Sequence, residues 1–286
     1  MRLQNFKTMW GFEGDFETAC IQAKEAGFIG IEGRSPLDQK ERDYWKECLE
    51  KYDLAFIGEI VTGGDFVPSR HHSLQGHIDD VDRGIKNSLE LKPRFMNCMG
   101  GCDAWSEDDS IAFFKGAIEI ANSYGIEISF ETHRSRSLFT PWVTRRMVEA
   151  VKDMKLTLDI SHWCVVSERL MDTELDTIKA LAPHVHHFHA RVGYAQGAQV
   201  PHPAAPEYKE ALISHQKCWE ISWDAQRSNG MKVITMTPEF GPDGYLHTLP
   251  FTNVPVADLW EINRWMAKTE DAHFSDYLKK NRSDAA

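Results

Sequence analysis

Cysteine is scarce in this chain and scattered where it occurs. The six residues, at positions 20, 48, 98, 102, 164 and 218 of 286, form no CxxC pair and no framework spacing. That excludes a disulfide-stapled module and leaves reduced thiols as the reading. Cys98 and Cys102 would need two further partners to hold a metal, and the glycines beside them argue for a strand end instead. Long hydrophobic runs are missing too. No stretch approaches the roughly 18 apolar residues of a membrane span, and MRLQNFKTMWGF lacks the apolar core of an export signal. The expectation is a cytoplasmic protein with no membrane partner. Basic charge is short: 32 Lys and Arg stand against 43 Asp and Glu, for a net charge of −11 and no Lys/Arg-rich run. Such a chain repels a phosphate backbone, so no nucleic acid partner is expected. Low-complexity tracts and linkers are absent, and no GxGxxG follows the first apolar run to suggest a dinucleotide fold.

Short apolar runs do alternate with amphipathic stretches of about 12 to 20 residues, the pattern of repeated strand–helix units and a parallel sheet. Eight strand candidates can be counted: 5–12, 28–33, 54–60, 94–100, 126–132, 156–161, 184–190 and 232–240. Between them lie stretches such as DFETACIQAKEAG, where Phe16, Ala19, Cys20 and Ala23 share one face and Gly27 follows as a C-cap. A last helix, from about Val256 to Tyr277, closes the set. Eight such units, with 42% hydrophobic residues to fill the core, predict a single (β/α)8 TIM barrel domain over residues 1–286.

In such a barrel, function gathers at the carboxyl ends of the strands. ISFETHR ends in Glu131, LTLDISHW in Asp159, HHFHAR in His189 and TMTPEFGP in Glu239. Side chains alternate along a strand, so Ser129 with Glu131, Thr157 with Asp159, His187 with His189, and Thr237 with Glu239 share the inward face. Three carboxylates and one imidazole thus aim at one point on the axis. Singly, each carboxylate reads as a helix N-cap or half an ion pair. Together they repel, and burial would push protons onto them unless a counter-charge is present. A divalent metal ion supplies it; Mn²⁺, Mg²⁺, Co²⁺ and Zn²⁺ all suit oxygen-rich ligation with one imidazole.

The order Glu131, Asp159 with His162 three later, His189, Glu239 resembles the xylose-isomerase-like TIM-barrel superfamily. This is the sugar phosphate isomerase/epimerase group, AP endonuclease family 2-like, which includes ketose 3-epimerases, dehydratases and AP endonucleases. GFIGIEG, ending in Glu32, is similar to that family's strand-two motif. The resemblance implies that Glu131, Asp159, His189 and Glu239 are metal ligands, and that Glu131 and Glu239 also act as acid and base. It also implies that His162 contacts substrate and that Arg191 lies over substrate oxygens. The implied activity is a metal-dependent sugar isomerase or epimerase working through an enediolate on a small-molecule carbohydrate, a keto sugar or polyol. A lyase on the same barrel, either a dehydratase or a 3-keto-glycoside deglycosidase, is the alternative, followed by a non-catalytic metal-binding barrel. Phosphodiester hydrolysis is disfavoured by the charge and by missing ligands. Barrels of this group commonly pair, which implies a homo-oligomer.

Other residues are candidates by position. His133, two past Glu131, faces the same side as a substrate contact or proton carrier. Trp10, Phe12 and Trp163 offer stacking surfaces as readily as core packing, and Glu59 and Asn97 offer hydroxyl contacts. His184, His186 and His187 read as structural, and His71, His72 and His77 as a solvated loop. No Gly-rich nest or Lys/Arg pair is set for a phosphate, so an unphosphorylated substrate is expected. Relatives carry an acidic residue soon after the metal histidine. Here a long Gly/Pro-rich segment follows, and with the loop GPDGYLHTLPFTNVP it predicts a roof over the site or an oligomer contact.

Overall fold

A computed structural model describes residues 1–242 and 244–283. Eight parallel strands close into one barrel in sequence order: β1 (Arg2–Thr8), β2 (Gly30–Gly33), β3 (Ala55–Val61), β4 (Met96–Met99), β5 (Ile128–Glu131), β6 (Lys155–Leu158), β7 (Val185–His189) and β8 (Val233–Thr237). Closure is made by β1 pairing with β8 from Arg2 opposite Val233 to Asn5 opposite Met236. The helices wrap the outside: α1 (Phe16–Glu25), α2 (Gln39–Lys51), α3 (Leu74–Ser88), α4 (Glu107–Ser123), α5 (Pro141–Ala150), α6 (Ser161–Val166), α7 (Leu175–Leu181), α8 (Lys209–Ser228) and α9 (Leu259–Ser283). The expected single-domain barrel is thus the observed one.

The strands differ from expectation mainly at their ends. β8 stops before Pro238, which has no N–H for the ladder. β6 stops at Leu158 because Asp159 turns the chain into α6. β1 begins earlier and ends earlier than its apolar run suggested, because Gly11, at φ +76°, turns the chain right after the strand. Helix α1 follows its pattern. Asp15 accepts the Thr18 amide at 2.8 Å, and Phe16, Ala19, Cys20 and Ala23 are buried.

The core lies between strands and helices, with Phe113, Phe114, Phe130, Trp163, Trp219 and Trp223 among its fully buried side chains. The barrel interior is layered along its axis. Phe6, Ile57 and Phe95 form an apolar plug at the bottom. Gly30 belongs to the same floor, since a Cβ there would lie 2.5 Å from the Phe6 ring and 2.4 Å from the Ala55 carbonyl. Above the plug the interior turns polar: the Thr157 hydroxyl donates to Ser129 Oγ at 2.9 Å, and His187 and Thr237 are buried in the same tier. All six cysteines are unpaired and buried, and Cys98 is packed in the core. The predicted loop histidines divide. His77 lies within α3 and is fully buried, its Nδ1 2.6 Å from Thr62 Oγ1, so the solvated reading fails for it, while His71 stays exposed.

Helices α8 and α9 are joined by a charged latch. His273 lies 2.8 Å from buried Glu270 and 2.9 Å from Glu220, and Gln216 donates to Glu270 at 2.8 Å. Burial disfavours the imidazolium, but the hydrogen bonds and charges of Glu270 and then Glu220 outweigh it and raise the His273 pKa above the ordinary 6.5. A raised folded pKa stabilises fully below the unfolded value, and the stabilisation is lost as pH rises through the folded one. The melting temperature of His273→Gln should therefore lie below that of the native chain by a gap widest below about pH 6.5 and narrowing above it. A pH-independent gap would reject a charged latch.

Candidate active site

Four side chains from consecutive strand ends meet at the carboxyl mouth. One ligand-type atom each from Glu131, Asp159, His189 and Glu239 lies within 4.8 Å of every other, and all four residues are buried. The backbone explains the convergence. Thr132 Oγ1 donates to the Asp159 carbonyl at 2.8 Å and accepts the Asp159 amide at 2.8 Å, tying the end of β5 to the end of β6. Asp159 Oδ1 accepts the amide of Ser161 at 2.9 Å and its hydroxyl at 2.5 Å, which ties this carboxylate to the first residue of α6. Past β8, Asn263 of α9 holds Phe240 from both sides, accepting its amide at 2.8 Å and donating to its carbonyl at 3.0 Å. Gln199 holds Gly241 in the same two-way fashion, at 2.9 and 3.2 Å. These two amides clamp the backbone just beyond Glu239. Gly241 is required there, because a Cβ would fall 2.2 Å from the Trp10 ring.

Arg191 is the counter-charge within the cluster. It is fully buried, its Nη2 donates to Asp159 Oδ2 and lies 2.6 Å from His162 Nε2, its Nε donates to Ser161 Oγ at 3.0 Å, and its Nη1 is 3.6 Å from Glu239 Oε2. Its guanidinium is therefore paired with the carboxylates and also lines the cavity at the mouth, and it is not an exposed surface ion pair. His162 is fully buried, packed on His133 with ring centroids 3.9 Å apart, and is not part of the cavity wall. His133 is on that wall. Burial keeps both imidazoles neutral, His133 at about 3 and His162 well below its ordinary value.

The carboxyls feel opposing forces. Burial pushes Glu239 up to about 7 against the pull of His189. For Glu131 burial acts the same way, but His189 and then His133 and Arg191 outweigh it and hold the group low. Asp159 is raised by burial, which exceeds the effect of Arg191. Against its own burial, His189 is driven well above the ordinary value by Glu239, Glu32 and Glu131. The centre thus draws positive charge. The donor set fits a divalent cation on one further observation: His189 Nδ1 is buried and makes no hydrogen bond, though Glu239 Oε2 lies 3.0 Å and Glu131 Oε1 3.7 Å away.

The remaining sequence candidates separate clearly. Glu59 joins the cavity wall, 3.6 Å from Arg34, with burial raising it to about 7. Asn97 lies below the mouth and donates to Glu131 Oε2 at 3.2 Å, so it supports a carboxylate instead of meeting a ligand. Trp10 reaches the cavity, whereas Phe12 packs under Lys7 and Trp163 is fully buried with its indole N–H on the Leu138 carbonyl at 2.9 Å. Sequence reasoning expected a roof from the loop after β8 but did not single out the side chains Tyr245 and Phe66 that form it. Tyr245 meets Trp10 edge-on at 5.0 Å, Phe66 lies 6.0 Å from Trp10, and Arg191 and Arg134 stack on Tyr245 at 4.9 and 4.7 Å. Tyr245 sits in a loop that was expected to cover the site, but nothing periodic singles it out. In the long segment after β7, Val192, Ala198, Gln199 and Val200 are buried.

Under this roof the cavity measures about 10 Å³, room for roughly one water. A ligand larger than a water does not fit this cavity unless its lining moves. Larger clefts, of about 410 and 480 Å³, lie on the outer wall by the amino ends of strands, away from the end where barrel chemistry gathers.

Another missed residue holds the roof. Fully buried Arg136 donates to the carbonyls of Thr62 at 2.6 Å, Gly101 at 3.3 Å and Asp65, tying together the loops after β3 and β4. Its chain neighbour Ser135 takes a left-handed φ of +65°. Arg136→Met should destabilise the fold by about 2 kcal/mol or more, because buried carbonyls lose their donors. Urea unfolding measures this, and a change below about 0.5 kcal/mol would contradict it.

The fold and the buried, cation-seeking centre at its mouth define a (β/α)8 barrel of the kind that places its chemistry at the strand ends. The chain belongs to the xylose isomerase-like TIM barrel family, whose model matches residues 20–200. No curated protein matches the sequence. Among solved structures, the chain is similar to an L-ribulose 3-epimerase, with a TM-score of 0.68, 14% identity, and 100% of this chain and 99% of that one covered. It is also similar to a xylose isomerase-like TIM barrel protein from Mycobacterium smegmatis in complex with magnesium, with a TM-score of 0.64, 13% identity, and 94% and 97% covered. A probable 3-DHS dehydratase from Bacillus anthracis aligns with a TM-score of 0.59, 14% identity, and 94% and 98% covered. At these identities the likeness is one of fold. No helix among the described residues is long and apolar enough to cross a membrane.

Proposed function

We propose that this protein is a divalent-metal-dependent isomerase or epimerase of a keto sugar or related polyol. The observation that carries the reading is the convergence of Glu131, Asp159, His189 and Glu239 at the mouth of a barrel of this family. Sugar epimerases among the structural neighbours support it, as does the neighbour holding magnesium. The same four residues would hold the cation, His189 through Nδ1. A bound divalent cation would supply Lewis-acid polarisation of a substrate carbonyl.

The chain's own groups then handle protons. Glu131 and Glu239 both face the cavity, so one carboxylate removes the proton from the carbon beside the carbonyl and the other returns one. Arg191 fixes Asp159 and the Glu239 backbone, and its charge offsets the anion that forms. His133, neutral and on the cavity wall, would accept a hydrogen bond from a substrate hydroxyl. Trp10, Phe66 and Tyr245 keep water out while the reactive species exists. The same enolisation with a leaving group at the β-position becomes elimination, and the dehydratase among the structural neighbours is what favours that second, lyase reading. A small carbohydrate substrate, a homo-oligomeric state and a cytoplasmic setting complete the proposal.

The test is solvent exchange in D₂O, followed by NMR, with Mn²⁺ and a panel of ketoses, inososes and 3-keto-glycosides. Deuterium should enter a carbon next to the carbonyl, and Glu239→Gln with verified metal content should exchange about 10² to 10⁴ times more slowly. An epimer or aldose product supports the isomerase. Loss of water or an aglycone would replace it with the lyase, and no exchange by protein that holds its metal would replace it with a non-catalytic barrel.

A further inference from the structure

Directly beneath the four-residue cluster lies a second group that has the composition of a metal site. Glu32 of β2 meets His187 and His189 of β7, all buried. Its hydrogen bonding reads differently. Glu32 Oε1 lies 3.1 Å from His189 Nε2. Glu32 Oε2 lies 3.1 Å from His187 Nε2 and receives the Thr237 hydroxyl at 2.5 Å. On its other side His187 Nδ1 is 2.8 Å from Thr235 Oγ1. A carboxylate that takes three donors, one of them a hydroxyl, is satisfied by protons and leaves a cation little to displace.

The consequence passes to His189. A carboxylate only accepts, so Nε2 must carry a proton toward Glu32. Asn97 Nδ2, 3.4 Å from Nε2, is a donor and is instead directed to Glu131 Oε2 at 3.2 Å. When the ring is neutral, as a metal ligand must be, its lone pair is therefore on Nδ1, the atom that faces Glu131 and Glu239 without a hydrogen bond. A metal-ligating imidazole is ordinarily oriented by such a carboxylate on its other nitrogen.

We infer that Glu32 is a positioning residue, which fixes the tautomer and ring angle of His189 so that Nδ1 is presented to a divalent cation, and that it is not itself a ligand of a second ion. The inference rests on the metal-binding reading above. His187 and Thr237 hold the other Glu32 oxygen, which anchors the carboxylate to the strand that carries His189 and to β8.

The test is Mn²⁺ titration of the metal-free protein by calorimetry, comparing the native chain with Glu32→Gln and Thr237→Val, with circular dichroism to verify folding. The native chain should take one Mn²⁺, and Glu32→Gln should bind it about 10- to 100-fold more weakly. Thr237→Val keeps the carboxylate and should change the Kd by less than about tenfold. ¹⁵N-histidine NMR of the native chain with Mg²⁺ reads the tautomer without any variant, and Nε2–H with a bare Nδ1 on His189 is expected. Native protein that binds no Mn²⁺ would sink the metal reading itself. Native protein that binds, beside a folded Glu32→Gln of equal affinity, would overturn only the role of Glu32, as would a protonated Nδ1. Two Mn²⁺ per chain, one of them lost in Glu32→Gln, would make Glu32 a ligand and also overturn it.

Discussion

Like charge gathered on the barrel axis is the constraint around which this protein is organised. Glu131, Asp159 and Glu239 come together where water is scarce, and mutual repulsion in such a setting is far stronger than at the surface. The structure answers with Arg191, buried among them, with a strongly basic His189, and with backbone and hydroxyl donors such as Ser161. A cation site is the natural completion of that balance.

Much of the surrounding architecture serves to hold these groups against their repulsion. The reciprocal Thr132–Asp159 bonds join the ends of adjacent strands beside the carboxylates, and the Asn263 and Gln199 amides pin the chain after Glu239. Below, the Glu32, His187 and Thr237 layer and the Phe6, Ile57 and Phe95 plug provide a floor. Above, Arg136 ties two loops while Trp10, Phe66 and Tyr245 close the cavity. The centre is thereby enclosed apart from one small cavity, the condition under which fixed charges act strongly on a reacting group.

The sequence and the three-dimensional structure carry different parts of this picture. Strand period and strand-end residues are local signals, so the eight strands, the inward facing of Ser129 and Thr157 and the meeting of Glu131, Asp159, His189 and Glu239 were all legible in one dimension. Boundaries were less so. Apolar runs continue past the last ladder bond at β8, where Pro238 lacks a donor, and at β6, where Asp159 diverts its side chain to Ser161. His77 misled because a histidine before an amphipathic stretch looks solvated until helix α3 packs it against Thr62 and the Trp105 ring.

By itself, then, the sequence determined the barrel, the identity of the polyanionic centre and the side of the molecule on which it lies, because two- and 3.6-residue periods depend only on neighbours along the chain. Tertiary structure alone decided which cation neutralises it and what covers it. Arg191 reads as a loop residue until closure of the barrel brings Asp159 and Glu239 onto it, and Arg136, Gln199, Asn263 and Tyr245 act on segments distant in sequence. Such contacts leave no periodic trace, since their partners are fixed by the fold and not by spacing.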